Sequence, residues 1–371
     1  METMRIIHVS TATSWRGGEQ QLAYLIGALQ EKKIEQEVLC AADSSFAIYC
    51  DEKSIKNTTF KKTGSINLRA AGILAQLSSS AHNPIVHCHD SHAHNIAYFA
   101  ALLFRNPAPV VIHRRVDFPV KTNIFSRAKY NHNSVKNFIC VSAAIKRILI
   151  PALNDPGKAT VIHSGIDLNK FKNLKDYGSL KKEFGLSDET VLIGNVAALA
   201  PHKDYKTFVR TAEILLKNNP DLRFVIVGDG PERKTIEAEI KTRQLGERIL
   251  LTGFRNNIPE LLKELDVLLL TSKTEGLGTT LLDAFAGGLP VVATRAGGIP
   301  EIVEHKVTGL LAETGDAPSL AGMVEMLLAD ENLRQNLVKN AIERVIDFDY
   351  RNTALKILDV YNQIKLQQNQ D

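Results

Sequence analysis

What constrains this chain most is an alternation: short runs rich in Val, Ile and Leu take turns with longer amphipathic segments from end to end. The runs 4–9, 37–41, 85–88, 110–113, 138–141 and 160–163 read as strands, and after a polar break they resume at 191–196, 223–227, 249–252, 267–271, 291–294 and 309–312. Helical patterns lie between them, among them 19–30, 205–217, 232–245 and 320–328. Continuous aliphatic strands suit a parallel sheet whose two faces are both covered by helices. The order β-α-β-α, run through twice, predicts an α/β chain of two doubly wound, Rossmann-like domains. The length of 371 residues agrees, at about 150 residues per domain. The polar break is the Lys-, Gly- and Asp-rich stretch 169–188, so the expected domains are 1–170 and 171–350. A last amphipathic segment, 354–364, has no strand after it. It either caps the second domain or, as a helix over about 351–366, returns to the first.

A hydrophobic share of 44% and a charged share of 23% exclude a disordered, collagen-like or disulfide-scaffold chain. The charge is unevenly placed: 20 Lys+Arg against 12 Asp+Glu in 1–170 give +8, and 25 against 29 beyond give −4. Two halves of opposite sign suggest two units with different partners. The thiols Cys40, Cys50, Cys88 and Cys140 form no C-x-x-C and read as core residues of a reduced, cytoplasmic protein. The apolar run 6–9 is too short for a signal peptide, and the longest helix-like apolar stretch, 96–104, falls far below the roughly 20 residues that span a bilayer.

In an open α/β sheet, ligands bind beyond the carboxyl ends of the strands, near helix amino termini. After the first strand, Ser14-Trp15-Arg16-Gly17-Gly18-Glu19 leads directly into a helix. The richest segment is Ser272-Lys273-Thr274-Glu275-Gly276-Leu277-Gly278-Thr279, which follows the strand 267–271 and opens a helix near Thr279. Gly276 and Gly278 leave backbone N–H groups open at that helix start, a suitable phosphate cradle. Glu275 sits in the cradle. Asp283 lies eight residues on, roughly two turns along, and carboxylates at both places suit sugar hydroxyls.

This segment resembles the E-x7-E motif of the retaining glycosyltransferases of family 4, which have the GT-B fold. Further matches follow in order: Val227-Gly228-Asp229-Gly230-Pro231-Glu232, Leu251-Thr252-Gly253-Phe254, Gly287-Gly288-Leu289-Pro290 and Gly297-Gly298-Ile299-Pro300-Glu301, with Gly165-Ile166-Asp167 at the domain junction. The resemblance implies two Rossmann-like domains facing a central cleft, with a nucleotide-sugar donor held mainly by the second. It implies Glu275 on the donor-sugar hydroxyls, the backbone of Gly276, Leu277, Gly278 and Thr279 on sugar and phosphate, and Asp283 on the ribose. It further implies Lys203 on the diphosphate, Gly228 in the donor site, Phe254 and Arg255 at the nucleobase, and Gly18 beside the reaction centre. The family's diphosphate arginine falls at Ala198, so one diphosphate cation is missing unless another residue, such as Arg16 or Arg295, substitutes. Its second acid is here Asp283, one methylene shorter. Its first-domain histidine aligns with Arg115, two residues after His113, and either is the expected catalytic group of that domain. No metal or other cofactor is implied, and UDP, GDP and ADP remain equal as the donor nucleotide.

Other signals compete. Five histidines fall in 82–94, and His87, His89, Asp90, His92 and His94 approach the H-x-H-x-D-H of zinc hydrolases, one residue out of register. Asp347-Phe348-Asp349 is a D-x-D string placed like a helix-end turn. The basic residues Arg114, Arg115, Lys121, Arg127, Lys129 and His132, interleaved with Phe118, Ile124, Phe125 and Tyr130, form either a solvated helical face or a dock for an anionic membrane. No nucleic-acid-binding pattern occurs. The expectation is a cytoplasmic glycosyltransferase, peripheral on the inner face of the membrane, that acts on a glycan or lipid-linked acceptor in cell-envelope synthesis. The alternatives are a GT-B phosphorylase or nucleotide-sugar epimerase, a zinc hydrolase, and a non-catalytic nucleotide-sugar-binding protein.

Overall fold

The computed structural model describes residues 4–121, 123–172, 174 and 178–368. Its chain divides into two compact units, Met1–Gly165 with Tyr350–Asp371, and Ile166–Asp349. Of the expected polar break 169–188, residues 173 and 175–177 lie outside the described residues.

The first unit carries the strands β1 (Arg5–Ser10), β2 (Glu35–Ala41), β3 (Asn57–Phe60), β4 (Pro84–Cys88), β5 (Val110–Arg114), β6 (Val135–Cys140) and β7 (Ala159–Val161) in the order β3-β2-β1-β4-β5-β6-β7. The second carries β8 (Leu192–Val196), β9 (Arg223–Val227), β10 (Ile249–Gly253), β11 (Val267–Leu270), β12 (Val291–Thr294) and β13 (Leu310–Ala312) in the order β10-β9-β8-β11-β12-β13. Every strand-to-strand ladder in both sheets is parallel. The alternation read from the sequence is thus the observed architecture. Asn57–Phe60 is a strand that hydropathy missed: its Asn-Thr-Thr-Phe is polar and sits at the sheet edge, where one side has no neighbour to bury.

In each sheet the chain winds one way and then reverses beside its first strand, between β1 and β4 and between β8 and β11. These are the switch points at which loops diverge and leave room for a ligand. The helix Tyr350–Gln368 packs on the first unit, where Ala354, Ile357, Val360, Tyr361 and Ile364 join Met4, Ile6, Leu25, Leu29 and Ile85 in one buried cluster. The second unit has its own core around Ile193, Phe208, Phe224, Leu269 and Val324. All four cysteines are free and buried. No helix among the described residues is long and apolar enough to cross a membrane.

Candidate functional site

At the switch point of the second sheet, the loops after β8 and β11 bring Lys203 and Glu275 together. Lys203 Nζ lies 2.6 Å and 2.9 Å from the two carboxylate oxygens of Glu275. The pair is mostly enclosed, with 14% and 11% of the two side chains exposed. The two loops are also sewn through the backbone: Lys273 N donates to His202 O at 2.8 Å, and Thr271 Oγ1 lies 3.2 Å from the carbonyls of both Lys203 and Asp204. A lysine and a glutamate distant in sequence are therefore fixed face to face before any ligand arrives.

The shape of the Glu275 loop depends on glycine at Gly297 and Gly278. Gly298 N donates to Glu275 O at 2.9 Å, and a Cβ at Gly297 (φ +52°) would stand 1.9 Å from that same oxygen. Gly278 (φ +88°) caps the helix Thr279–Gly287 in the left-handed conformation, so the chain turns sharply from Glu275 into the helix head. In that first turn Leu281 N donates back to Gly278 O at 2.9 Å, which leaves the N–H groups of Thr279 and Thr280 at the positive end of the helix dipole. Leu277 is buried, while Gly276 and Thr279 are partly accessible. Asp283 is the fifth residue of this helix, about one turn from its start rather than the two expected. Its carboxyl is half-buried and accepts no hydrogen bond from the described residues. Desolvation pushes it up to about 7, against a smaller opposing effect of Lys170.

The remaining second-unit positions differ in kind. Gly228 (φ +143°) is held against the neighbouring loop, for a Cβ there would stand 2.0 Å from Ala197 O, so its glycine has a packing reason independent of any ligand. Phe254 is 69% exposed on the loop after β10. Arg255 beside it pairs with Glu183 at 2.5 Å. Ala198 is exposed, and Arg295 lies 3.4 Å from Glu313.

The first unit has a polar centre at its own switch point. Asp90, just past β4, accepts from Thr11 N at 2.7 Å and Thr11 Oγ1 at 2.8 Å, and caps the helix Ser91–Phe104 through His92 N and Ala93 N. Arg115, just past β5, donates to His89 O at 3.0 Å and His89 Nδ1 at 3.2 Å. Burial lowers its guanidinium to about 10. Its Cδ is 4.0 Å from where a Cβ on Gly18 would stand, which places Arg115 at the head of the helix Gly17–Glu31. Arg16 is the exposed cap residue of that helix. His113 is only 5% exposed and lies parallel to His87, with ring centroids 5.4 Å apart, so Arg115 rather than His113 is the accessible member of the expected pair. His87 Nδ1 is 2.5 Å from the hydroxyl of Tyr361 on the last helix.

The histidine run does not converge as a zinc motif. His92 is exposed and His94 packs edge-on against Tyr130 at 4.9 Å. The three imidazoles whose nitrogens come within 4.8 Å of one another are instead His8, His87 and His89, all buried. His8 was no part of the sequence expectation, and neither were Gln36, Thr11 and Tyr361. A metal there would compete with existing bonds: His89 Nε2 already meets His8 Nδ1 at 3.0 Å, and the other nitrogen of His89 faces an arginine instead of the acceptor that usually orients a metal-bound imidazole. Asp347 of the D-x-D string pairs with Arg344 at 3.1 Å in a turn after a helix.

Two family models match this chain side by side: Glycosyltransferase Family 4 over residues 15–170 and Glycosyl transferases group 1 over residues 176–344. The UDP-Gal:alpha-D-GlcNAc-diphosphoundecaprenol alpha-1,3-galactosyltransferase of Escherichia coli is 27% identical, across 96% of both chains. The N-acetyl-alpha-D-glucosaminyl L-malate synthase of Bacillus anthracis is 36% identical over 173 residues, where the match spans 47% of this chain and 45% of that protein. Among solved structures, Anabaena Alr3699/HepE in complex with UDP-glucose superposes with a TM-score of 0.85 at 22% identity, covering 97% of this chain and 99% of that one. The chain belongs to the family-4 glycosyltransferases, enzymes of the GT-B fold.

Proposed function

We propose that this glycosyltransferase moves a hexosyl unit from a UDP-sugar to a hydroxyl of a lipid-linked or glycan acceptor, with retention at the anomeric carbon and without a metal. The observation that carries the reading is the Lys203–Glu275 pair at the switch point of the second sheet, at the head of the helix Thr279–Gly287. A donor divides that pair: Glu275 takes the sugar hydroxyls and Lys203 takes the diphosphate, joined by the helix-head N–H groups. Asp283 takes the ribose hydroxyls, and the loop of Phe254 and Arg255 meets the base. The bond from the anomeric carbon to the phosphate oxygen breaks, and the acceptor oxygen bonds to that carbon on the same face. The acceptor proton passes to the leaving phosphate oxygen. Charge grows on the diphosphate during this step, so Lys203 and the helix head act chiefly in the transition state. In the first domain Arg115 is the active-site cation, near Gly18.

UDP is favoured because the E. coli relative and the Anabaena neighbour are named for UDP-sugars. A lipid-linked acceptor is favoured by the same E. coli relative, which matches end to end. It is supported by the exposed Val116, Phe118, Ile124 and Phe125 beside the exposed Lys121 and Arg127, which suit an anionic membrane, although Arg114 and Lys129 of the expected basic set are buried and bond to Tyr130 and Asn95. The test is UDP release from UDP-sugars, with and without a polyprenyl-diphosphate glycan. Glu275→Gln should lower turnover by about a hundredfold or more while UDP still binds. Full turnover by that variant refutes the assignment.

A further inference from the structure

Arg115 opens a line of polar side chains that the proposed mechanism does not use. Its Nη2 donates to His89 Nδ1 at 3.2 Å, and His89 Nε2 lies 3.0 Å from His8 Nδ1. His8 Nε2 lies 3.1 Å from Gln36 Oε1, and Gln36 Nε2 donates to the carbonyl of Ile26 at 3.1 Å. His8 is 0% exposed, His89 8% and Gln36 9%, so the line runs through the interior of the unit.

Both ends of the line fix its direction. A guanidinium has only donors, so His89 Nδ1 must accept and the ring proton must sit on Nε2. That N–H makes His8 Nδ1 an acceptor, places the His8 proton on Nε2, and requires an oxygen from Gln36. At the far end a backbone carbonyl has only lone pairs, so Gln36 must turn its NH2 to Ile26 and its oxygen to His8. Four hydrogen bonds thus agree on one assignment from either terminus. An extra proton on either ring would set two donors face to face. In accord, desolvation above all lowers His8 to about 4 and holds His89 well below the usual imidazole range.

We propose that Gln36, on β2, is a positioning residue for Arg115: by fixing the tautomers of His8 and His89 it keeps a lone pair of His89 facing the guanidinium and so locks Arg115 as a fork on His89. The proposal rests on the reading of Arg115 as the first-domain active-site group. No carboxylate lies within ion-pair distance of Arg115 among the described residues; Glu19 and Asp90 act on its charge from farther off, and the hydrogen bonds that set its direction go to the neutral acceptors of His89. The bond to the carbonyl of His89 survives a change of tautomer, whereas the bond to Nδ1 reverses into donor against donor. With one bond left, Arg115 can swing.

The test uses the full chain, with histidine ring-nitrogen NMR beside transfer kinetics. Unaltered protein should show both rings protonated at Nε2. Gln36→Met removes the acceptor for His8 and should mix the tautomers, lowering kcat by about tenfold with the KM for UDP-sugar unchanged. Gln36→Glu, kept protonated by burial, offers His8 an acceptor oxygen and the carbonyl of Ile26 an O–H, and should restore both the tautomers and kcat. Altered tautomers with undiminished kcat in Gln36→Met overturn the proposal, as does lowered kcat with tautomers intact. If Gln36→Met fails to fold, His89→Asn, whose Oδ1 can stand near the Nδ1 position, should outperform His89→Gln; equal rates overturn it. Arg115→Ala keeps the two readings apart, since full turnover by that variant defeats the Arg115 assignment whatever the tautomers show.

Discussion

Below about pH 7, burial leaves Asp283 with a proton that the proposed donor site has to displace. Its carboxyl favours the folded state fully below its unfolded value of 3.8, and this advantage is lost as the pH rises to about 7. Ribose hydroxyls donate best to the ionised form, so UDP binding should pull the proton off. Calorimetry near pH 6 should then show about one proton or less released per UDP bound, and affinity should rise with pH until it levels off above about 7. Asp283→Asn should flatten both responses; an unchanged pH profile in that variant would remove Asp283 from the ribose. As candidates, residues of this kind were legible in the sequence because their signal is local. Glu275 and Asp283 stand among glycines within a dozen positions. His8 and Gln36 were not legible: each sits inside a strand that reads as plain core, and their 3.1 Å contact joins positions 28 residues apart, a pairing decided by sheet order.

The elements show the same division between local pattern and tertiary pairing. Strands buried on both faces announced themselves as aliphatic runs, while the polar edge strand Asn57–Phe60 did not. The histidine run looked like a zinc motif as a string of letters. Once β4 ends at Cys88 and a helix begins at Ser91, successive residues are sent to different surroundings, and Asp90 becomes a helix cap. The loop bearing Glu275 gives this argument a measurable form. Gly297→Ala should cost about 3 kcal/mol, because its Cβ meets a backbone oxygen at 1.9 Å and cannot be relieved by a rotamer change. Transfer should fall with it, as the Glu275 loop is pushed out of register with Lys203. Gly246→Ala, where an added Cβ meets nothing within 4 Å, is the matched control and should leave both melting temperature and rate nearly unchanged. Equal effects of the two substitutions in melting and transfer assays would contradict the packing account.

Across the whole molecule, the order of the chain makes the first unit depend on residues that come after the second. The chain leaves that unit at Gly165 and returns at Tyr350, with the second unit built in between. The sequence left the destination of its last amphipathic segment open, because an apolar stripe states that a helix needs a partner without naming which one. The partner is the cluster around Met4, Ile6, Leu25 and Leu29, against which Ile357, Val360, Tyr361 and Ile364 are buried. At about 1.5–3 kcal/mol for each of these four side chains, their burial contributes roughly 6–12 kcal/mol. An ordinary domain has about 5–15 kcal/mol in total, so the first unit should not survive without the helix. Ending the chain at Asp349 also removes the Tyr361 hydroxyl from His87. The core of the second unit contains no residue of that helix and should stand alone. Limited proteolysis of the shortened chain should therefore leave a resistant fragment starting near residue 166, which still binds UDP and melts in a single transition, with transfer abolished. A shortened chain that resists protease throughout and keeps its transfer activity would show that the helix is dispensable to the first unit.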